Sequence, residues 1–224
     1  RCVRAGITTD GRRVDEDPVT EWRILRYLAN EGAHEHVMTL EALGEDEHYY
    51  FAVYPFYSSG DLFGLTTGSR GGYLPEAQAK LYFRHLLQGL AFCHARGIIH
   101  RDVSLENTMM EGVERGENGI AILIDFGLAV DHWAEGPGDL SPRRRAGKTN
   151  YMPPEVYEGG AFNETADLWC LGMSLWMMLF GAPLYNIPAA GSDRFFDEVR
   201  AGKLRGLVEA WGFAERVSPE AVDL

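Results

Sequence analysis

One stretch near the middle of the chain constrains the fold more than any other, because it sets chemistry-bearing side chains on both sides of a single short turn. His100-Arg101-Asp102-Val103-Ser104-Leu105-Glu106-Asn107 follows directly on a long helical pattern, and Asp125-Phe126-Gly127 follows the apolar run 120–124. The polar stretch 111–119 between them holds Gly112, Gly116 and Gly119, residues that suit a tight turn. A hairpin centred on Gly116 sets Asn107 opposite Asp125 at its open end. Two oxygen-bearing side chains then converge, which suits a hard cation such as Mg²⁺ that takes oxygen ligands and keeps waters and phosphates in its shell. Asp102, on the same loop as Asn107, stands where it can accept a hydroxyl proton. Taken singly, Asp102 is a loop former, Asp125 a turn former, and Trp169 and Met173 core residues. Their joint order and spacing is what carries chemical meaning.

The rest of the chain reads as the frame for this loop. Residues 18–30 form a helical pattern with Pro18 near its start and Trp22, Leu25 and Leu28 on one face. The apolar runs 37–43 and 49–54, separated by the polar turn 44–48, read as an antiparallel pair. A loop at 58–61 and a glycine-rich break at 68–72 precede a long helix from Pro75 to about Arg96, stopped by Gly97. Short β-runs are expected at 98–99, 108–110 and 120–124, a mobile polar segment at 131–147, and helices at 163–180 and 193–201. The apolar run 168–180 falls short of the ~20 residues needed to cross a bilayer, so it reads as a buried core helix and no membrane span is expected.

Composition narrows the function classes. A hydrophobic fraction of 46% and an aromatic fraction of 12% support a folded core. The net charge of −12 argues against a nucleic-acid partner, which demands a positive face. Cys2, Cys93 and Cys170 are widely separated with no CxxC pair. Buried thiols in Cys93 and Cys170, and a reducing, cytoplasmic setting, are the expectation.

In order and spacing, His100-Arg101-Asp102…Asn107, Asp125-Phe126-Gly127 and Pro153-Pro154-Glu155 match the HRD…N, DFG and APE signatures of eukaryotic-type protein kinases, and Asp167-Leu168-Trp169…Gly172 matches DxWxxG. The chain is similar to that family from about Glu21 to its C-terminus. The resemblance implies an α+β, two-lobed fold, mostly helical C-lobe at 55–224, with a remnant of the β-rich N-lobe at 1–54. It implies ATP and Mg²⁺ as cofactors and a protein substrate phosphorylated on Ser or Thr. By the same resemblance Asp102 is the catalytic base, Arg101 reads an activating phosphate, and Asn107 and Asp125 hold the metal. Glu21 pairs with the ATP-positioning lysine, Tyr54 is the gatekeeper, and Pro55, Phe56 and Tyr57 form the adenine hinge. Asp61 joins the cofactor-binding set and, with Glu106, gives partial support for peptide selection by acidic residues. Leu25, Leu40, His100 and Phe126 form a stacked apolar column, and Asp167 braces the catalytic loop.

The sequence also departs from the pattern. No glycine-rich phosphate loop or VAIK-like lysine is present, the lysines being Lys80, Lys148 and Lys203. The expectation is a chain truncated at both ends and nearly inactive as it stands. Ser104 replaces the lysine usual in Ser/Thr members, while Lys148 stands where they carry threonine, a pairing that reads as a reciprocal exchange. Ser141, near the arginine run 143–145, is the expected regulatory hydroxyl, with Thr149 a second. One alternative is a catalytically impaired member acting as a binding module, which Ser104 favours and intact Asp102, Asn107 and Asp125 oppose. Another is a small-molecule phosphotransferase, against which the long 125–155 segment argues.

Overall fold

The computed structural model describes residues 18–113, 118–135 and 147–222. Among these the elements run α1 (Pro18–Asn30), β1 (Ala42–Glu45), β2 (Tyr50–Val53), α2 (Leu62–Gly68), α3 (Glu76–His94), β3 (Ile98–Ile99), β4 (Thr108–Glu111), β5 (Ile120–Leu123), β6 (Val130–Asp131), α4 (His132–Glu135), α5 (Pro154–Tyr157), α6 (Thr165–Phe180), α7 (Arg194–Arg200), α8 (Leu204–Ala210) and α9 (Pro219–Val222). The strands pair antiparallel in three two-stranded ribbons, β1 with β2, β3 with β6 and β4 with β5. The fold is therefore α+β, with small ribbons set on helices.

Helix α1 has the bounds expected from its apolar spacing, and it buries Ile24, Leu25 and Leu28. Helix α6 is the apolar run expected to be core, and twelve of its residues are buried. It ends at Gly181, whose φ of 76° is a left-handed conformation that a residue with a Cβ adopts only at a cost. Helix α3 packs along α6 and also against β5. The main core runs from Ile24 through Leu86, Phe126 and Met178 to Val217, and a smaller cluster of Ile99, Val130, Phe162 and Ala166 lies apart from it. Cys93 and Cys170 are free and buried, as expected, and burial, with Asp167 nearby, pushes both thiols up and keeps them inert. Among the described residues no helix is long and apolar enough to cross a membrane.

Two expectations are corrected. The first ribbon begins at Ala42 rather than at 37, because Val37 and Met38 are drawn to a different partner. Val37 bridges Leu123 in parallel, and the Met38 N–H donates to the Leu123 carbonyl at 2.9 Å. The β1–β2 turn is closed by Asp46, whose Oδ1 accepts from the N–H groups of His48 and Tyr49 at 2.8 and 2.7 Å. The second correction concerns the β4–β5 register. Thr108 faces Leu123 and Glu111 faces Ile120, so the residue opposite Asn107 is Ile124, whose N–H donates to the Asn107 carbonyl at 3.0 Å. Asp125 lies one step further on, and a one-residue slip reverses the face on which a strand residue points. The short elements α2, α5 and α8 carried no strong sequence signal; of the segment 131–147 expected to be mobile, the described start forms the end of β6 and α4, and residues 136–146 lie outside the described residues.

Where α3 meets the chain between α1 and β1, the His36 and His85 rings stack at 4.2 Å, with His34 at 5.4 Å from His36. Glu35, Arg84 and Arg96 stand around them. Burial, reinforced by His36 and Arg84 and opposed by Glu35, lowers the His85 pKa from 6.5 to about 4. Below pH 6.5 the unfolded chain takes up a proton that folded His85 refuses. Stability is therefore lost as pH falls from about 6.5 to about 4 and levels off below that. Urea unfolding measured across this window is expected to show that loss, with a shallower slope in His85→Asn. An identical slope in the variant contradicts the assignment.

Candidate active site

The site is built on Asp167, in the first turn of α6 and fully buried. Its Oδ2 accepts from His94 Nε2 at the end of α3 and from the His100 N–H, both at 2.8 Å, and its Oδ1 accepts from the Arg101 N–H, also at 2.8 Å. These bonds hold the loop after β3 where its backbone is strained, since Arg101 has φ 69° without being glycine. His100 is fully buried. Its Nδ1 accepts from the Asp102 N–H at 3.2 Å, which leaves Nε2 to donate to the Ile124 carbonyl at 3.0 Å. Its ring lies edge-on to Phe126 at 4.6 Å. Leu25 is buried in the same core, with Leu40 packed at its edge.

Asp102 emerges from this support. Asn107 Nδ2 donates to the Asp102 carboxylate at 2.6 Å and to its carbonyl at 2.9 Å. The amide nitrogen is thus committed to Asp102, and the amide oxygen is the atom left to meet a cation. Asp125, with φ 63°, turns out of β5, and its Oδ1 accepts from the Gly127 N–H at 3.3 Å. The left-handed turn, rather than the cross-strand pairing read from sequence, aims this carboxylate. An amide and a carboxylate oxygen fit a hard cation that takes its other ligands from water and phosphate. Among the described residues no cluster of three His, Cys, Asp or Glu side chains offers a self-sufficient metal cage.

A second segment completes the site. Lys148 Nζ donates to the Ser104 hydroxyl at 2.9 Å and to Asp102 Oδ2 at 3.3 Å, so the two residues that exchange types in sequence meet in space. Tyr151, three residues on, accepts from the Leu105 N–H at 3.3 Å and donates to Glu106 at 3.0 Å. Sequence reading gave Tyr151 no role. Its spacing from Lys148, one turn along the same segment, was the available signal. Gly147 packs on the loop, with φ 97° and an added Cβ only 3.1 Å from Asp102 Oδ1.

Other expected residues are more dispersed. Glu21 lies in the first turn of α1, close enough to the Tyr54 hydroxyl to act on it. Burial first, then Glu21, raises the Tyr54 pKa to about 12, and Trp22 Nε1 donates to the same oxygen at 3.1 Å. Trp22 is thus a partner that sequence reading left as part of a helix face. Burial, then Glu111 and Glu41, also raises the Tyr57 pKa. Pro55 is half-buried beside Phe56, which is 90% exposed. Asp61 caps α2, its Oδ1 accepting from the Gly64 N–H at 2.7 Å. The Arg101 guanidinium lies over Phe162 at 4.5 Å and donates to the Leu128 carbonyl at 3.4 Å. Thr149 is exposed, while Ser141 and the arginine run 143–145 lie outside the described residues.

The family model described as the protein kinase domain matches residues 7–224. Calcium-dependent protein kinase 4 of Plasmodium falciparum is 30% identical over 172 residues, 76% of this chain and 30% of its own. Calcium/calmodulin-dependent protein kinase type II of Caenorhabditis elegans is 28% identical over 206 residues, 91% of this chain and 26% of its own. The serine/threonine-protein kinase PSK1 of Saccharomyces cerevisiae is 30% identical over 200 residues, 87% of this chain and 13% of its own. The chain thus spans about a third or less of the length of these relatives.

The bracing by Asp167 makes a direct prediction. Asp167→Ala leaves the buried His100 N–H and the part-buried His94 and Arg101 donors without their acceptor, and a buried donor left unsatisfied costs about 1–3 kcal/mol. A stability loss of about 3 kcal/mol or more is expected in denaturant unfolding, and a loss below about 1 kcal/mol contradicts the role.

Proposed function

The chain belongs to the protein kinase domain family, and from that premise we propose that it transfers the γ-phosphoryl group of ATP to Ser or Thr hydroxyls of proteins. The observation that carries this reading is the fixed position of Asp102, held through Asn107 and through a loop that Asp167 braces. Asp102 accepts the proton of the attacking hydroxyl. Asn107 and Asp125 offer oxygens to Mg²⁺, which when bound with ATP supplies charge neutralisation at the phosphates. The Pro55 carbonyl and Tyr57 N–H serve the adenine edge, Tyr54 bounds the adenine pocket, and Glu21 and Asp61 complete the nucleotide side. Division at 54/55 puts the nucleotide between an N-terminal part and a C-terminal part. A groove of about 420 Å³ lined by Gly147, Thr149, Met152, Tyr157, Asn186 and Ile187 adjoins Asp102 through Gly147 and suits an extended protein segment. Arg101 suits recognition of a phosphate on the segment that carries Ser141 and Thr149. The free thiols of Cys93 and Cys170 suit a reducing, cytoplasmic setting.

The test compares nucleotide binding with turnover in the full-length protein. Asp102→Asn is expected to keep ATP affinity within about threefold and to lose turnover by about 10²–10⁴-fold, the range for a general base. Equal turnover in the variant refutes the role of Asp102. A wild type that binds ATP and transfers nothing supports a binding module instead.

A further inference from the structure

Resting on that reading, we propose that Lys148 is a catalytic residue whose ammonium contacts the phosphoryl group in flight. It acts from a segment outside the loop that carries the base. An ammonium has three donors, and Ser104 Oγ at 2.9 Å and Asp102 Oδ2 at 3.3 Å take two. The third is available to an anion arriving beside Asp102. Both ends of the side chain are held. The Lys148 carbonyl accepts from the N–H groups of Tyr151 and Met152 at 3.0 and 3.1 Å, which winds the segment into a turn. Tyr151 then pins that turn to Leu105 and Glu106. Ser104 is fully buried and accepts from the Asn107 N–H at 3.3 Å as well as from Lys148, so it is a fixed seat for the ammonium.

Stability does not account for this arrangement. A partly exposed Lys–Asp pair contributes little to folding, and the Lys148 and Asp102 side chains are 31% and 16% exposed. Charge balance does account for it. A bare carboxylate at the acceptor hydroxyl repels the anionic phosphoryl group it must let approach. A cation sharing the same oxygen offsets that repulsion and stabilises charge that builds during transfer. In the step, the bond from the γ-phosphorus to the ADP oxygen breaks, a bond from phosphorus to the acceptor oxygen forms, and the hydroxyl proton passes to Asp102. Lys148 keeps its proton throughout.

The experiment uses the full-length protein with Lys148→Thr, Lys148→Arg, Ser104→Lys and the Ser104→Lys/Lys148→Thr double variant. Turnover is measured together with the affinities for ADP–Mg²⁺ and for ADP–Mg²⁺ with aluminium fluoride, a mimic of the transferring group. Lys148→Thr is expected to lower turnover by about 10²–10³-fold, the effect of removing one well-placed donor. It should weaken the aluminium fluoride complex at least about tenfold while ADP affinity stays within about twofold. Lys148→Arg should keep part of the rate. The double variant should recover part of what Lys148→Thr loses, a non-additivity expected of residues serving one position. Unchanged turnover in Lys148→Thr, an equal loss of ADP and aluminium fluoride affinity, or a double variant equal to the product of the two single losses overturns the proposal. A wild type that binds no nucleotide overturns the kinase reading itself and this proposal with it. An active wild type with an unaffected Lys148→Thr variant overturns this proposal alone.

Discussion

The site depends on one buried carboxylate. Asp167 sits at the start of the apolar, largely buried helix α6, and its two oxygens are occupied by one ring nitrogen and two backbone N–H groups. A carboxylate fully removed from water is costly unless such donors surround it. Here the donors come from the end of α3 and from residues 100 and 101. Satisfying Asp167 therefore fixes where the loop leaves β3. It also holds Arg101 in a left-handed conformation that costs an L-residue about 1–2 kcal/mol. The rigid element is thus the apolar core around α6, and the loop inherits its position from that core.

From this anchor the polar contacts spread outward in order of burial. His100 and Ser104 are fully buried, Asn107 nearly so, and Asp102 and Lys148 stand at the edge. The His100 ring bonds to backbone partners only, which makes it structural, whereas Ser104 and Asn107 also reach side chains at the edge. Asp102 is held by Asn107 and Lys148, and Lys148 by Asp102 and Ser104, so the outer charges rest on the buried members. Segment 147–152 reaches this edge through a lysine, which contacts Asp102 and Ser104, and a tyrosine, which bonds to Leu105 and Glu106. Displacing that segment removes a cation and a clamp together.

Much of this was legible in the sequence where one residue type serves one purpose. The bounds of α1 follow from Pro18 and the spacing of Leu25 and Leu28, and the burial of α6 follows from an unbroken apolar run. The meeting of Ser104 and Lys148 was legible as an exchange of side-chain types between two motifs. The β4–β5 register was not, because symmetry about Gly116 cannot reveal that Asp125 leaves the strand through a positive φ. Likewise Val37 and Met38 look like the start of a strand, yet they pair with Leu123, a residue far along the chain that local patterning cannot identify. The contacts of Tyr151 and Trp22 were not legible, because Trp22 reads as part of a helix face and Tyr151 as one more hydroxyl of its segment. Only the fold reveals that each hydroxyl or ring N–H has a partner in the site.

The central claim is that this loop directs the γ-phosphoryl group of ATP to an aliphatic hydroxyl on protein. The most direct measurement is transfer from γ-labelled ATP by the full-length protein in Mg²⁺, followed by acid hydrolysis of the labelled protein and identification of the phosphoamino acid. The account predicts label on phosphoserine and phosphothreonine, absent when Asp102 is replaced by Asn. Label found only on phosphotyrosine, or released only as inorganic phosphate, contradicts it.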